Sequence, residues 1–404
     1  MKQPIWVVGL GMGDRLALSP EANAVIQGAG LLMGGQRLLA AIESHPAERI
    51  SIGNNLDQVI ARLHARSDDE KIVILASGDP GFHGIAGTLL EHFPPGEVRI
   101  LPHISSLQAA FARAGLHWND AVFTSAHAHS PAEVLGWARR APKLGILTDH
   151  ANTPAVIAEN LLRGGVEDCR VIVAENLGAG DERLVDARLS DLTRQEFAPL
   201  NVMLLVHDAG WRPWPVFAPR DDDAYAHRQG LITKADIRAL CLGRLALRET
   251  DVVWDIGAGS GAVSIEMAEI AWRGRVFAIE KDPENLGYLR QNIERLGTLN
   301  VEVVPGEAPA TLVGLPAPHA VFIGGSGGQL DAILAQVARS ALPGCRVTAP
   351  FALLENMLQA QQWMKQAGWN PSLTQAQIAY GSSLAEGTRL SPLNPVFILS
   401  GVIP

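Results

Sequence analysis

Cysteine is scarce in this chain: Cys169, Cys241 and Cys345 are solitary, far apart in the sequence and lack the spacing of a metal or redox motif. This pattern favours buried thiols in a reducing cytoplasm. No apolar run reaches the length of a membrane span, and the first ten residues carry one lysine and run straight into a strand-like sequence, unlike a secretory signal. We therefore expect a cytoplasmic protein.

An excess of positive charge is lacking as well. The net charge of −9 argues against a non-specific nucleic-acid binder, which needs a basic surface, although a local basic patch can still bind an acidic small molecule. Hydrophobic residues make up 47% of the chain and charged residues 19%, which is typical of a compact globular protein. A length of 404 residues predicts two or three domains.

The segment Asp251–Glu266 carries the strongest signal in the chain. An apolar, strand-like run ends at Asp255, three glycines follow at alternate positions, and a helix is predicted over residues 262–271. A strand, a glycine turn and a helix form the first half of a βαβ unit, in which a ligand approaches bare backbone at the start of the helix. The residues predicted to contact a ligand at this turn are Gly257, Ala258, Gly259, Ser260 and Gly261.

The acid that precedes this turn bears on the choice of ligand. A dinucleotide turn usually reads G-x-G-x-x-G and seats a pyrophosphate, which the Asp255 carboxylate would repel. Beside a sulfonium amino acid, the same carboxylate can hold the α-ammonium group. Glu280, about 25 residues later at the end of a predicted strand over 275–279, suits two ribose hydroxyls. The segment resembles motif I of the class I methyltransferases, and that resemblance implies S-adenosyl-L-methionine as the cofactor.

Strands alternate with helices in the first half of the chain, which predicts an α/β architecture. The predicted strands cover residues 5–8, 72–76, 98–101, 121–124, 144–148, 170–174 and 202–206. Glycine-rich turns follow two of them, at residues 9–14 and 77–84, and neither turn continues into the G-K-S or G-K-T of a phosphate loop. Taken alone, the first turn would equally fit a nicotinamide site.

These turns are combined with two later segments, Ile104-Ser105-Ser106 and Asn176-Leu177-Gly178. Through this combination, residues 1–207 resemble the class III tetrapyrrole methyltransferases. In that family, two α/β subdomains form a cleft that binds a folded S-adenosyl-L-methionine through main-chain groups. The resemblance implies cofactor contacts from Gly78, Asp79, Pro80, Gly81, Ile104, Ser105, Ser106, Asn176 and Leu177. The chain departs from the family at Met12, where a proline is usual, and this bears on how the loop meets the substrate.

The alternating pattern breaks at residues 208–223, where prolines, tryptophans and a run of charges predict a linker. A second domain is expected over 224–404. Its segment 230–308, with Gly324 and Gly325, resembles the decarboxylating precorrin methyltransferases, which have a Rossmann-like class I fold. That resemblance implies further cofactor contacts from Thr233, Glu307 and Ala308. Thr233 is also a plausible helix cap.

A class III domain fused to such a class I domain is the arrangement of the precorrin-6Y C5,15-methyltransferase (decarboxylating) family. The resemblance implies a bifunctional enzyme of cobalamin biosynthesis that methylates C5 and C15 of a precorrin-6 tetrapyrrole and decarboxylates its C12 acetate to give precorrin-8. It links the C-terminal domain to C15 and to decarboxylation. Electron-rich ring carbons can attack the sulfonium methyl directly, so neither a protein nucleophile nor a metal is expected. The resemblance also implies a homo-oligomer.

A substrate rich in carboxylates requires cationic side chains for its recognition. Lys234 and Arg238 are the candidates at the second site, because charge-assisted pairs suit such groups. The alternative is that both are ordinary exposed charges on a helix. His127 and His129 follow a strand without a nearby third ligand, so a metal pair is disfavoured. Asp79 is expected to form the G-D-P-G turn rather than to act as a base.

Other functions stay open on the sequence. An RNA or protein methyltransferase often carries an N-P-P-Y-like loop after the fourth strand, where this chain reads Ile323-Gly324-Gly325-Ser326-Gly327. An NAD(P)-dependent oxidoreductase would use both glycine turns. A third possibility is that the N-terminal half is only a scaffold for assembly.

Overall fold

The computed structural model describes residues 2–13, 18–42, 44–127, 130–215, 217–228, 230–384 and 387–404. These residues form two compact units. The first comprises Met1–His129, Arg140–Leu162 and Glu167–Arg212, and the second comprises Ser130–Arg139, Arg163–Val166 and Pro213–Pro404. Within the described ranges, no helix has both the length and the apolarity that a membrane span requires.

The first 212 residues alternate strands with short helices. The strands are β1 (Ile5–Gly9), β2 (Leu31–Gly34), β3 (Glu48–Ser51), β4 (Ile72–Ala76), β5 (Val98–Leu101), β6 (Ala121–Ser125), β7 (Lys143–Leu147), β8 (Arg170–Glu175), β9 (Arg183–Arg188) and β10 (Asn201–Val206). The helices are α1 (Pro20–Gln27), α2 (Gln36–Ala40), α3 (Leu56–His64), α4 (Ile85–His92), α5 (Ser106–Arg113), α6 (Pro131–Ala138), α7 (Pro154–Arg163) and α8 (Leu189–Leu192). Helix α6 lies within the second unit.

Two sheets organise the first unit. The first has the strand order β3-β2-β4-β1-β5 with every pairing parallel. Strand β4 is a continuous apolar run because both faces of a parallel sheet are covered. The second sheet has the order β6-β7-β10-β8-β9 and is parallel only between β6 and β7. Because parallel strands end at a common edge, the loops after β1, β2 and β4 lie at the same edge of the first sheet.

Side-chain caps fix where two helices of this unit begin. The Ser19 hydroxyl accepts a hydrogen bond from the Ala22 N–H at 3.1 Å, and Pro20 is the first residue of α1. Ser105 and Gln108 form a reciprocal capping box at the start of α5. Each of the two helices therefore begins at a serine N-cap.

The second unit contains a larger mixed sheet. Its strands are β11 (Val252–Ile256), β12 (Arg275–Glu280), β13 (Val301–Pro305), β14 (Ala320–Ile323), β15 (Arg346–Phe351), β16 (Ser372–Ala376), β17 (Ala379–Leu384), β18 (Gly387–Pro392) and β19 (Val396–Val402). Its helices are α9 (Ala235–Leu245), α10 (Ala262–Ile270), α11 (Pro283–Arg295), α12 (Leu330–Ser340) and α13 (Leu354–Gln366). Short 3-10 helices cover Asp222–Ala224 and Ala310–Leu312.

The strand order of this sheet is β13-β12-β11-β14-β15-β19-β16. The parallel part follows the 3-2-1-4-5 order of doubly wound nucleotide-binding folds. Strand β19 runs antiparallel to β15. Alternate residues of β11 enter opposite cores, with Val253 on one face and Trp254 on the other. This α/β organisation confirms the predicted fold class.

The end of the predicted linker is part of the second unit's packing. The Asp222 carboxylate accepts a hydrogen bond from the Ala235 N–H at 3.0 Å and pairs with Arg238 at 2.8 Å. Helix α9 therefore receives its first side-chain acceptor from a residue 13 positions earlier in the chain. The prediction that Thr233 caps this helix is wrong, since Lys234 occupies the N-cap position and its side chain makes no cap bond.

Candidate active sites

The glycine turn between β11 and α10 has the conformation that its sequence predicts. Gly257, Gly259 and Gly261 have φ angles of 74°, 57° and 83°, a region in which glycine alone is unstrained. A Cβ placed on Gly257 would lie 2.7 Å from the backbone nitrogen of Gly325. The turn therefore packs directly on the glycine loop that follows β14.

A cavity of about 610 Å³ opens at the carboxyl ends of these strands. The predicted residues that line it are Thr233, Asp255, Gly257, Ala258, Gly259, Ser260, Glu280, Glu307 and Ala308. Gly261 shapes the turn without lining the cavity, and Lys234 and Arg238 also lie outside the lining. The cavity thus gathers residues from the turn, from the end of β12 and from the loop after β13.

Asp255 is fully buried at the end of β11. Its Oδ2 accepts a hydrogen bond from the Ser264 hydroxyl, whereas Oδ1 has no partner among the described residues. Burial, together with the nearby charge of Glu280, raises the pKa of Asp255 to about 7. A buried acceptor without a partner is unfavourable, so a cationic ligand in this cavity would relieve Oδ1. Ser264 was missed in the sequence; its signal is a hydroxyl in the first turn of the helix after the glycine turn.

The Glu280 carboxylate accepts hydrogen bonds from the backbone around the cavity. One carboxylate oxygen accepts a hydrogen bond from the Gly259 N–H at 2.7 Å, and the other accepts from the N–H groups of Lys281 and Asp282, both at 2.8 Å. A carboxylate offers about four acceptor positions, and the main chain occupies three of them. Glu280 therefore holds the glycine turn and has room for one further strong hydrogen bond rather than two.

An exposed ion pair lies at the wall of the same cavity. Lys281 Nζ is 2.5 Å from a carboxylate oxygen of Glu307. Both residues line the cavity, and Lys281 alone among its described lining residues carries a permanent positive charge. This lysine is therefore already neutralised by a protein carboxylate.

Arg238 does not have the placement expected of a substrate-binding residue. Its side chain is fully buried, 3.0 Å from Glu266 and 2.8 Å from Asp222, and it donates a further hydrogen bond to the Thr233 carbonyl at 2.6 Å. The prediction that Arg238 binds a substrate carboxylate is wrong, because its buried guanidinium group is already bound by groups of the protein. Lys234 is partly exposed and pairs with Asp222 at 3.0 Å.

In the first unit, glycines without a Cβ atom allow four turns to pack closely against one another. The Gly78 N–H donates a hydrogen bond to the Gly11 carbonyl at 2.9 Å. A Cβ on Gly11 would lie 2.7 Å from the His103 ring, and a Cβ on Gly13 would lie 2.0 Å from the Gly178 carbonyl oxygen. The Gly9-x-Gly11-x-Gly13 pattern is therefore explained by close backbone approach at the turns beginning near residues 78, 103 and 176.

These turns line a second cavity of about 710 Å³. The predicted cofactor residues in its lining are Gly78, Asp79, Ser105, Ser106, Asn176 and Leu177. Three further predicted residues, Pro80, Gly81 and Ile104, lie outside the lining, with Ile104 54% exposed. The predicted segments are therefore brought together, although three of the predicted residues do not line the cavity.

Polar side chains in this cavity mostly serve the fold. Asp79 Oδ1 accepts a hydrogen bond from the Gly81 N–H at 2.9 Å, as expected of a turn-forming residue. Asn176 has a left-handed φ of 48° and donates from its side chain to Asp181 at 2.8 Å. His127 also lines the cavity, and His129 lies outside the described residues. The side chains of Asp79 and Asn176 are therefore occupied within the protein.

Comparison with known proteins distinguishes the two halves. A family described as Tetrapyrrole (Corrin/Porphyrin) Methylases matches residues 4–193, and one described as Precorrin methyltransferase domain matches residues 223–402. A Sinorhizobium sp. protein named precorrin-6Y C(5,15)-methyltransferase (decarboxylating) is 33% identical over 393 residues, covering 96% of this chain and 94% of that protein. The chain belongs to the precorrin-6Y C(5,15)-methyltransferase family.

As a member of the precorrin-6Y C(5,15)-methyltransferase family, the chain is a methyltransferase. Two Salmonella typhimurium proteins are each 37% identical to part of it. One, named cobalt-precorrin-7 C(5)-methyltransferase, aligns with 44% of this chain and 87% of its own length. The other, named cobalt-precorrin-6B C(15)-methyltransferase (decarboxylating), aligns with 42% of this chain and 88% of its own length. The family resemblance read from the sequence is confirmed, and an oxidoreductase is not supported.

Proposed function

We propose that this enzyme methylates C5 and C15 of a precorrin-6 tetrapyrrole and decarboxylates its C12 acetate to give precorrin-8. The observation that carries the proposal is the presence of two glycine-lined cavities, one in each unit, in a chain that matches a decarboxylating C5,15-methyltransferase over nearly its whole length. Relatives named for C5 and for C15 methylation, each matching less than half of this chain, support a division of labour between the two sites.

S-adenosyl-L-methionine is the cofactor that we propose for both cavities. In the second unit, the unpartnered Oδ1 of Asp255 fits an ammonium group, and the remaining acceptor position of Glu280 fits a ribose hydroxyl. The glycine turn leaves main-chain groups open to a ligand at the start of α10. In the first unit, the turns at Gly78, Ser105 and Asn176 would supply main-chain contacts.

When bound, this cofactor supplies an electrophilic methyl group. The protein's task is then to hold the ring carbon in line with that group and to exclude water, which requires positioning rather than a protein nucleophile. Lys234, partly exposed beside Thr233 in the lining, is our candidate for orienting a substrate carboxylate at the second site. When the acetate loses carbon dioxide, the conjugated ring can accept the electron pair of the broken C–C bond, and a proton from solvent then replaces the lost carboxylate; the protein orients the acetate.

The domain limits that we propose are 1–207 for the tetrapyrrole methylase domain, 208–223 for the linker and 224–404 for the class I domain. We also propose a cytoplasmic homo-oligomer. The location is supported by three buried cysteines that are not paired in disulfides.

Mass spectrometry of the tetrapyrrole tests the activity. The full-length enzyme is incubated with precorrin-6 and S-adenosyl-L-methionine, and the product is expected to have gained two methyl groups and lost one carbon dioxide. A product that gained no methyl group would refute the proposal, and a methylated product that kept its carboxylate would refute the decarboxylation.

Thermal-shift titration tests the cofactor independently of the substrate. Because a ligand that binds the folded state raises the melting temperature, S-adenosylhomocysteine is expected to stabilise the protein, whereas NAD and NADP are not. Stabilisation by a nicotinamide nucleotide alone would favour the oxidoreductase that the sequence left open.

A further inference from the structure

One guanidinium group lines the cavity of the first unit. Arg37 lies in α2, three residues after the end of β2, and its side chain is exposed. It is the single described residue of that lining with a permanent positive charge. Among the residues that the structure describes, its side chain has no hydrogen bond or ion pair.

The other charged or titratable groups of this lining have partners inside the protein. Asp79 accepts from the Gly81 N–H at 2.9 Å, and Asp181 accepts from the Asn176 side chain at 2.8 Å. His127 lies 3.4 Å from an Asp149 carboxylate oxygen. Arg37 therefore differs from its neighbours in having its full hydrogen-bonding capacity available to a ligand.

The two cavities differ in whether their cationic side chain has a counter-ion from the protein. Lys281, the cation of the second-unit cavity, is 2.5 Å from Glu307. Arg37 has no equivalent carboxylate within reach among the described residues. A cation that faces a cavity without a protein counter-ion is placed to attract an anionic ligand.

Sheet topology places Arg37 beside the proposed cofactor turn. Strands β2 and β4 are parallel neighbours, with Met33 paired to Ile74. The loop that carries Arg37 and the turn that begins at Gly78 therefore leave the same edge of the sheet. Gly34 and Gly35, which precede α2, also line the cavity.

We propose that Arg37 binds an acetate or propionate carboxylate of the tetrapyrrole in the first-unit cavity. This inference rests on the proposed function, since it takes its ligand from that reaction. A guanidinium group pairs with a carboxylate through two parallel hydrogen bonds, which fixes orientation as well as adding affinity. With a net charge of −9 the protein as a whole repels a polycarboxylate, so a local cation in the cavity favours its binding.

Steady-state kinetics of Arg37→Gln in the full-length enzyme test this role. Losing a charge-assisted pair is expected to raise the KM for the tetrapyrrole by about 10- to 100-fold while the kcat at saturation stays within about threefold. At low substrate concentration, fewer than two methyl groups should be incorporated per ring. Arg37→Lys keeps the charge but loses the planar guanidinium group, so its KM should lie between those of Arg37→Gln and the wild type.

Arg194→Gln is the matched control, since Arg194 is exposed in the same unit and lies outside the cavity lining. It should leave the KM unchanged. All variants should keep the wild-type melting temperature and its shift with S-adenosylhomocysteine. An unchanged KM in Arg37→Gln, or a fall in kcat at constant KM, would overturn the inference. A wild-type enzyme that transfers no methyl group would instead refute the proposed function itself.

Discussion

The two units reach the same type of cavity by different chemical means. In the second unit, two nearly buried carboxyl groups, Asp255 and Glu280, stand at the ends of neighbouring strands and border the cavity. In the first unit, the corresponding walls are turns whose polar side chains bond within the protein: Asp79 accepts from the Gly81 N–H, and Asn176 donates to the Asp181 carboxylate. We therefore expect the second-unit site to bind its ligand mainly through carboxyl side chains and the first-unit site to bind its cofactor mainly through main-chain groups.

This difference predicts how each site responds to substitution. A site that depends on two carboxyl groups should be sensitive to their removal and to pH. A site that depends on backbone groups should tolerate side-chain changes but fail when a turn is forced apart.

The largest effect is expected for Asp255→Ala. Removing a buried, charge-paired group at a ligand typically costs 2–5 kcal/mol, so cofactor affinity at the second-unit site should fall by about 100-fold or more. Calorimetric titration with S-adenosylhomocysteine should then retain the first-unit site unchanged. Two sites with wild-type affinities in this variant would contradict the role of Asp255.

Gly13→Ala is the complementary change in the first unit. Its Cβ would lie 2.0 Å from the Gly178 carbonyl oxygen, at a residue whose φ is 78°. Strain and overlap together should lower the free energy of unfolding of this unit by about 2–5 kcal/mol, and its cofactor site should be lost. Gly87→Ala is the control, because nothing lies within 4 Å of its Cβ position. Scanning calorimetry distinguishes the two, and equal melting behaviour would refute the packing argument.

Glu280→Ala should weaken the second-unit site by roughly 1.5–3 kcal/mol through loss of hydrogen bonds to a charged acceptor. Because Glu280 also holds three main-chain N–H groups, part of this loss should appear as lower thermal stability without ligand. Comparing ligand-free melting with calorimetric affinity separates the two contributions. A variant with normal stability and normal affinity would show that the carboxylate does neither task.

The smallest effect is a pH dependence. The pKa of Asp255 is raised to about 7 in the folded protein, so its neutral form is favoured there and stability falls as pH rises from about 4 towards 7. An ammonium ligand favours the charged form, so cofactor affinity at this site should rise about tenfold between pH 6 and 8, with release of a proton. Calorimetry in buffers of different ionisation enthalpy measures that proton. Asp255→Asn should abolish the dependence, and its survival there would assign it to another group.

The sequence predicted most of the apolar, buried strands, but not the four-residue buried strand β2. The bounds of β4 and β5 match the prediction. Strand β4 is a continuous apolar run between turns, which leaves its bounds little freedom. It did not reveal β9 or the β17–β18 hairpin, whose exposed, polar or charged strands carry no apolar alternation. Edge and hairpin strands of this kind are held by pairing rather than by burial.

The sites were predictable where local turn geometry determines them, as at the three glycines after β11. They were not predictable where the contact comes from a side chain elsewhere in the sequence. The Ser264 hydroxyl donates to Asp255, and the Asp222 carboxylate accepts from the first N–H of α9. Arg238 shows a signal that was present but overlooked. It occupies the same helical stripe as Cys241 and Leu242, which are buried, so its burial follows from the period of α9.

We infer that each unit of this chain binds S-adenosyl-L-methionine in its own cavity. Isothermal titration of the full-length protein with S-adenosylhomocysteine counts these sites. We expect two sites per chain, one of which is lost in Asp255→Ala. A single site in the wild type, or no binding, would contradict this inference.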